Sequence, residues 1–455
     1  MENHSTALMI EPIPYQDTLA QIARESGIEA YYVGGLVRDR LLGRHSKDID
    51  IVTVDRDPQI LLDMLRVRLG SGKLSVVGRY GTCQLTTPDG IQIEGVRARS
   101  ESYFFDSRKP TVKAGSLQDD IDRRDFTINC LIIPLDRPDV VLDPTGRGRG
   151  DLENKIIRTP MPPAQTFSDD PLRMLRAVRF ASQLGFQIAP ETEAGIKKSS
   201  TRLNIISRER IAGELNGILL SPNPAQGVND LYALGLLREF APDLVSIREH
   251  VPKRWNHALF TLGATPPDIT LRWAALFHSL SALPAQSGVS GRDSLGAKSA
   301  HRNLISLRYP DDIARQVARL VELHPAISGY RSSAPDHEVR SLIWAVGTDM
   351  PMSLDLARSC LGQPHREPNC TIGDLENRIA ALDPHGLLAT HTLPLSGDQI
   401  MAELEIEQGP MVGVAKDELR RAVISGVLPI DDPAEAASWL MAQREVTSEP
   451  TSIGM

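Results

Sequence analysis

The chain has 455 residues, 41% of them hydrophobic and 24% charged, with a formal net charge of −8. That is room for roughly three domains with ordinary cores, and too apolar a composition for a disordered chain. No apolar stretch approaches a membrane span and residues 1–8 carry no basic, apolar secretory pattern, so a membrane protein and a secreted one are both disfavoured and the cytoplasm is the expected compartment.

In chain order, strands are predicted at Ala30–Val33, Asp48–Val52, Leu74–Val77, Gly81–Leu85, Ile91–Val96 and Asn129–Ile133, with a helical turn or two at Leu36–Leu42. Together these make a mixed sheet. Pro160–Ala164 reads as a Pro-rich break. Asp170–Phe186 then shows apolar residues at helical spacing, with Asp169-Asp170 and Pro171 as a start signal. Everything beyond reads as helical, except Pro284–Ser299, a Gly/Ser/Ala-rich flexible insertion, and the residues after Arg444, expected to be disordered. The fold class is therefore α+β, a mixed-sheet N-terminal region followed by all-helical regions.

The most informative segment is 33–50. Gly34 and Gly35 end a strand and open a helix, so a triphosphate can come close to backbone N–H groups there. On the next strand, alternation makes Asp48 and Asp50 project to one face and Ile49 to the other. Two such carboxylates can hold magnesium for an in-line displacement at phosphorus. An exposed turn and a solvated strand edge would explain either fragment alone, but their order favours metal-dependent phosphoryl or nucleotidyl transfer.

Basic and acidic side chains balance over residues 1–215, so the whole excess of acid lies further on. Clusters at Arg97/Arg99, Arg108-Lys109, Arg123-Arg124, Arg147/Arg149 and Arg208/Arg210 can serve a polyphosphate backbone, whereas Lys197-Lys198 reads as solvated surface. Cys83, Cys130, Cys360 and Cys370 show no metal-ligand spacing, and neither disulfides nor zinc are expected. Nothing in the residues indicates an oligomeric state.

Gly34-Gly35-x-Val37-Arg38-Asp39 with Asp48-x-Asp50 resembles the class II nucleotidyltransferases, which include tRNA CCA-adding enzymes and bacterial poly(A) polymerases. Four further blocks follow in the family's order: Arg123–Asn129, Asp143–Leu152, Asp169–Phe180 and Ser207–Ile211. The resemblance implies a catalytic head at 1–160, a nucleotide-recognition neck at 161–225, a body at 226–345 and a helical tail at 346–455. It also implies Mg2+ as cofactor on Asp48 and Asp50, with the tRNA 3′ end, CTP and ATP as partners and no membrane. Glu94 stands where the family commonly carries a third carboxylate. Arg124 and Asp125 resemble its ribose- and triphosphate-reading pair, with Asn129 supporting the loop, while Arg123 and Asp122 fit the scaffold.

The block Asp169–Phe180 resembles the base-reading helix. Asp170 offers an acceptor and Arg173 planar donors, so the pair can take the exocyclic amine and ring acceptors of cytosine or adenine, whereas uracil and guanine present a carbonyl to the carboxylate. Arg176 and Arg179 continue the stripe at three-residue intervals; Arg179 is also suited to pairing with an acid on a neighbouring element. Asp169 replaces the first residue of the family's Glu-Asp pair.

Val77–Thr82, the segment Ala98–Pro110 in the place of the family's flexible loop, and the tail-like Leu395–Ile400 and Gly409–Gly413 favour CCA addition over poly(A) or A-only addition. A catalytically inactive RNA-binding protein is the alternative of another class; it predicts damaged carboxylates, and these are intact. Residues 250–330 resemble an HD phosphohydrolase domain, but the His-Asp doublet is here His278-Ser279. Too few ligands remain for a hydrolytic centre, so His257, His278 and His324 are expected to serve packing.

Overall fold

The computed structural model describes residues 12–45, 48–77, 82–102, 111–282, 292–361 and 370–448. The chain divides into two units, residues 1–240 and 241–455.

In the first unit, α1 (Gln16–Ser26) buries Leu19, Ala20, Ile22 and Ala23. A six-stranded sheet runs in the order β3-β4-β5-β2-β1-β8. Its strands are β1 (Ala30–Tyr32), β2 (Asp48–Thr53), β3 (Lys73–Val77), β4 (Thr82–Thr86), β5 (Gln92–Arg97) and β8 (Ile133–Pro134). Within this sheet β2 and β5 pair in parallel and the other described pairs are antiparallel, so the sheet is mixed as predicted. Ile49 and Ile51 are fully buried on one face of β2, with Asp48 and Asp50 turned to the other. Helix α2 (Gly35–Leu41) links β1 to β2. Helix α3 (Pro58–Arg68) covers the apolar face through Leu61, Leu62 and Leu65. It lies close over β5 because position 95 is glycine: a Cβ there would come within 2.9 Å of Pro58.

Strands β6 (Arg99–Ser102) and β7 (Thr111–Ala114) form an antiparallel ladder at the base of the segment that stands in the place of the family's flexible loop. Residues 103–110 of that segment, and 78–81 of Val77–Thr82, lie outside the described residues. Helices α4 (Leu117–Asp122), α5 (Gly148–Glu153), α6 (Pro163–Asp169), α7 (Arg173–Leu184), α8 (Pro190–Ser199), α9 (Arg208–Leu219) and α10 (Pro224–Ala233) follow, with short strands β9 (Ile156–Ile157) and β10 (Gln187–Ile188). Helix α7 packs on α9 and α10, burying Leu175, Val178 and Phe180.

Three expectations are corrected here. Asn129–Ile133 is not a strand along its length: Thr127–Asn129 is a 3-10 turn, Ile132 makes an isolated bridge to Leu142, and the sheet strand begins at Ile133. The turn is favoured because the Asp125 carboxylate accepts from the Phe126 N–H and from Asn129 Nδ2, local bonds that compete with an extended ladder. The Pro-rich break contains a helix, α6, which Pro163 starts at its first turn. Asp170 is extended, at φ −140° and ψ 100°, so the recognition helix begins at Arg173 rather than Asp170. The ring of Pro171 disfavours helical geometry in the residue before it.

In the second unit every described element is helical. The helices are α11 (Pro242–His250), α12 (Pro252–Ala264), α13 (Ile269–Phe277), α14 (Arg292–Ser306), α15 (Asp311–Ser328) and α16 (Asp336–Val346). They continue as α17 (Met350–Leu361), α18 (Cys370–Leu382), α19 (Gly397–Leu404), α20 (Pro410–Ser425) and α21 (Pro433–Ser448). The expected insertion Pro284–Ser299 is helical from Arg292: Ala297, Ala300 and Leu304 are buried at helical spacing, a stripe that small residues disguised; residues 283–291 lie outside the described set. Helix α21 continues past Arg444 to Ser448, anchored by buried Ala436 and Leu440, and only 449–455 are undescribed.

Candidate active site

The site grows from the register of two strands. Asp50 on β2 lies opposite Glu94 on β5, and Asp48 opposite Gln92, so Asp48, Asp50 and Glu94 share the face away from α3. Burial, Glu94 and Asp48 push the Asp50 carboxyl up to about 6 against the opposing pull of Arg124. Crowded carboxylates of this kind fit a hard divalent cation, whose charge relieves them.

Gly34 follows immediately. Its φ of 70° and ψ of −137° lie in a region open to glycine. A Cβ there would stand 3.6 Å from both Asp50 Oδ2 and Arg124 Nη1, so the bare backbone separates a carboxylate from a guanidinium. Arg124 is aimed by Asp120, a fully buried carboxylate that accepts from Arg124 Nη2 at 2.8 Å and also holds Arg123. Burial works against the charge on Asp120, but the two guanidiniums hold its carboxyl below the usual range.

The opposite wall is a buried polar chain. Arg38 donates to Asn129 Oδ1 at 2.8 Å and to both oxygens of Asp39. Asn129 in turn donates to Asp125 Oδ1 at 2.9 Å, and Arg176 donates to Asp125 Oδ2 from Nε at 2.9 Å and Nη2 at 2.6 Å. Burial alone would raise Asp125, but Arg176 and Asn129 hold it down at about 2. Phe180 lies at the centre of this wall, with the guanidinium carbons of Arg38, Arg176 and Arg179 at 5.0, 5.5 and 4.3 Å from its ring centroid.

Asp170 Oδ1 accepts from the Leu172 N–H at 3.0 Å, and Oδ2 from Arg210 Nη2 at 3.2 Å. Arg173 does not pair with it through the side chain. Its Nη1 donates to the Thr166 carbonyl at 3.5 Å and its Nη2 to the Arg123 carbonyl, which ties α7 to the loop before Arg124.

These groups line one cavity of about 630 Å³, which brings together Gly34, Gly35, Arg38, Asp50, Arg124, Asp125, Asp170, Arg173 and Arg176 from the sequence reading. Asp48 and Glu94 stand beside it on the sheet face. Arg179 is outside the lining: its Nε donates to Glu214 at 2.6 Å and its chain lies over Gly217, where a Cβ would meet Arg179 Cδ at 2.3 Å. The sequence reading did not assign Asp120 or Phe180, and it gave Arg210 to a polyphosphate-binding cluster rather than to Asp170. Asp120 had a signal, since it precedes two arginines by three and four residues on a helix. Phe180 looked like core, and Arg210 finds its partner 40 residues away.

Two family profiles match the chain: "Poly A polymerase head domain" over residues 30–158, and "Probable RNA and SrmB- binding site of polymerase A" over 185–247. A CCA-adding enzyme of Streptococcus sanguinis is 31% identical over 425 residues, covering 92% of this chain and 96% of that protein. The crystal structure of Bacillus stearothermophilus CCA-adding enzyme in complex with CTP superposes with a TM-score of 0.70 at 26% identity, covering 96% of this chain and 99% of the other. The Thermotoga maritima CCA-adding enzyme complexed with tRNA shares the fold at a TM-score of 0.62 and 22% identity, covering 95% of each chain.

Proposed function

The chain belongs to the CCA-adding enzyme family, and from that membership we propose that it completes tRNA 3′ ends with C and A taken from CTP and ATP, selecting bases by protein side chains rather than a nucleic-acid template. It is a nucleotidyltransferase. The terminal ribose hydroxyl attacks the α-phosphate of the incoming nucleotide and pyrophosphate departs, with no covalent enzyme intermediate.

Enzymes of this class need a divalent metal. Asp48 and Asp50, with Glu94 beside them, would hold it, and we take it to be Mg2+ because every donor is a carboxylate oxygen. When bound, the metal supplies charge neutralisation at the reacting phosphate and activation of the attacking hydroxyl. The chain's own residues bind and orient. Gly34 leaves room for the phosphates beside Arg124. Asp170 accepts from the exocyclic amine of cytosine or adenine, and the remaining N–H groups of Arg173 serve their ring acceptors. Arg38 and Arg176 hold the wall around Phe180 in place; Arg179 steadies α7 from behind. In this reading residues 1–160 are the head, 161–225 the neck, 226–345 the body and 346–455 the tail, and the cytoplasm is the compartment expected for an enzyme of tRNA.

The observation that carries the reading is the union, in one polar cavity, of Asp50, whose register partner on the next strand is Glu94, with Asp170 and Arg173. The test is incubation of the purified protein with tRNA transcripts lacking CCA, lacking only the last A, or complete, with each labelled NTP separately. Two C and one A on the first substrate, one A on the second and none on the third are expected. Addition of A alone makes it an A-adding enzyme, runs of A a poly(A) polymerase, and no addition an RNA-binding protein.

A further inference from the structure

In the second unit, four side chains capable of binding soft metals converge from four helices. His257 lies on α12, His278 directly follows α13, His324 lies on α15 and Cys360 on α17. The ring of His278 is central, with its centroid 5.0 Å from His257 and 4.9 Å from His324. His278 and Cys360 are buried, at 6% and 4% exposure.

The orientation is that of a ligand set. His278 Nδ1 sits 2.7 Å from the Ala275 carbonyl, which fixes the N–H on that nitrogen and leaves the Nε2 lone pair facing inward. Cys360 Sγ lies 3.8 Å from that Nε2. A nitrogen and a sulfur sharing a tetrahedral zinc at ~2.05 and ~2.3 Å stand about 3.5 Å apart. The donor atoms of His257, His278 and Cys360 all lie within 4.8 Å of one another. The Thr261 hydroxyl, 3.7 Å from Cys360 Sγ, is placed to donate to a thiolate.

We propose that His257, His278 and Cys360 bind one zinc ion as a structural site that staples α12, α13 and α17 together. Two imidazoles and a thiolate, with no carboxylate among them, select a borderline-soft metal over magnesium. His324 is the next imidazole at hand for the fourth position. Residue 279, beside the buried His278, is serine, which supplies no base for hydrolysis, so the role is structural. The proposal departs from the sequence expectation that these histidines only pack and that zinc is absent. The ligands hid because Cys360 lies 82 residues beyond His278.

The test uses the full-length protein, purified without a metal-affinity step and analysed by elemental mass spectrometry, then stripped and reloaded with Co2+. One zinc per chain is expected, together with a near-ultraviolet thiolate-to-cobalt charge-transfer band that the carboxylates of the first unit cannot produce. Cys360→Ser should abolish the band. His257→Gln, at a half-buried position, should weaken metal retention if Cys360→Ser fails to fold. Protein that takes up no zinc and shows no cobalt band overturns the proposal. Nucleotide addition to tRNA is assayed separately with magnesium, so failure of the zinc site and failure of the proposed activity are distinguishable.

Discussion

Asp50 stands directly opposite Glu94 across a parallel strand pair, with Asp48 two residues back on the same face. Burial and these two carboxylates raise Asp50 to about 6. The fold therefore favours its protonated form, so without metal the Asp50 contribution to stability falls as pH rises from about 4 to about 6, then levels off. Asp50→Asn should remove that loss and stabilise metal-free protein at neutral pH by about 1–3 kcal/mol. Thermal melts of wild type and Asp50→Asn in chelator between pH 4 and 8 check this; a stability advantage of Asp50→Asn that does not grow from pH 4 to 6 would contradict it.

Replacing Asp48 or Asp50 by Ala should reduce nucleotide addition at least about a thousandfold, since a bound metal contributes several kcal/mol to the transition state. The fold and tRNA affinity should be little changed. Single-turnover incorporation of CTP, alongside tRNA binding by filter retention, separates the two effects. Measurable addition by Asp48→Ala with magnesium would remove Asp48 from the metal site.

Asp170→Asn presents amide N–H donors where a carboxylate oxygen had been, so discrimination against UTP and GTP should narrow by roughly ten- to a hundredfold, the cost of a mispaired buried polar group. Arg173→Ala should weaken CTP and ATP together. Incorporation of each of the four NTPs by both variants is the measurement. Undiminished selectivity in Asp170→Asn would place base choice elsewhere.

Arg176 and Arg179 are separated by three residues but should behave differently. Arg176→Ala leaves the buried Asp125 only its Phe126 and Asn129 donors, which should cost about 1–3 kcal/mol and disturb the wall around Phe180. Arg179→Ala loses the Glu214 pair and should lower stability while leaving the KM for CTP near the wild-type value. Denaturant unfolding and steady-state kinetics on both variants test the contrast; equal effects on KM would return Arg179 to the binding site.

The pH response of the Asp125 pair runs opposite to that of Asp50. Its carboxyl is held at about 2, below the unfolded value, so its stabilisation is present above pH 4 and is lost as pH falls towards 2. In Arg176→Ala that acid-sensitive component should shrink, which acid unfolding followed by circular dichroism would detect.

Sequence alone determined the features that depend on local periodicity. Alternation in Asp48–Val52 placed two carboxylates on one face, short apolar runs marked the strands, and six ordered blocks pointed to the nucleotidyltransferases. It misread Pro160–Ala164 and Pro284–Ser299, because composition marks breakers and small residues without saying whether a neighbour exists for them to pack on. Tertiary structure alone decided the pairings: Arg176 with Asp125, Arg210 with Asp170, Phe180 among three guanidiniums, and Cys360 against His278. Each joins residues whose separation leaves no trace in the period of a helix or strand. A charged or metal-binding side chain takes its role from the partner that burial brings to it, and that partner is chosen by how the elements pack.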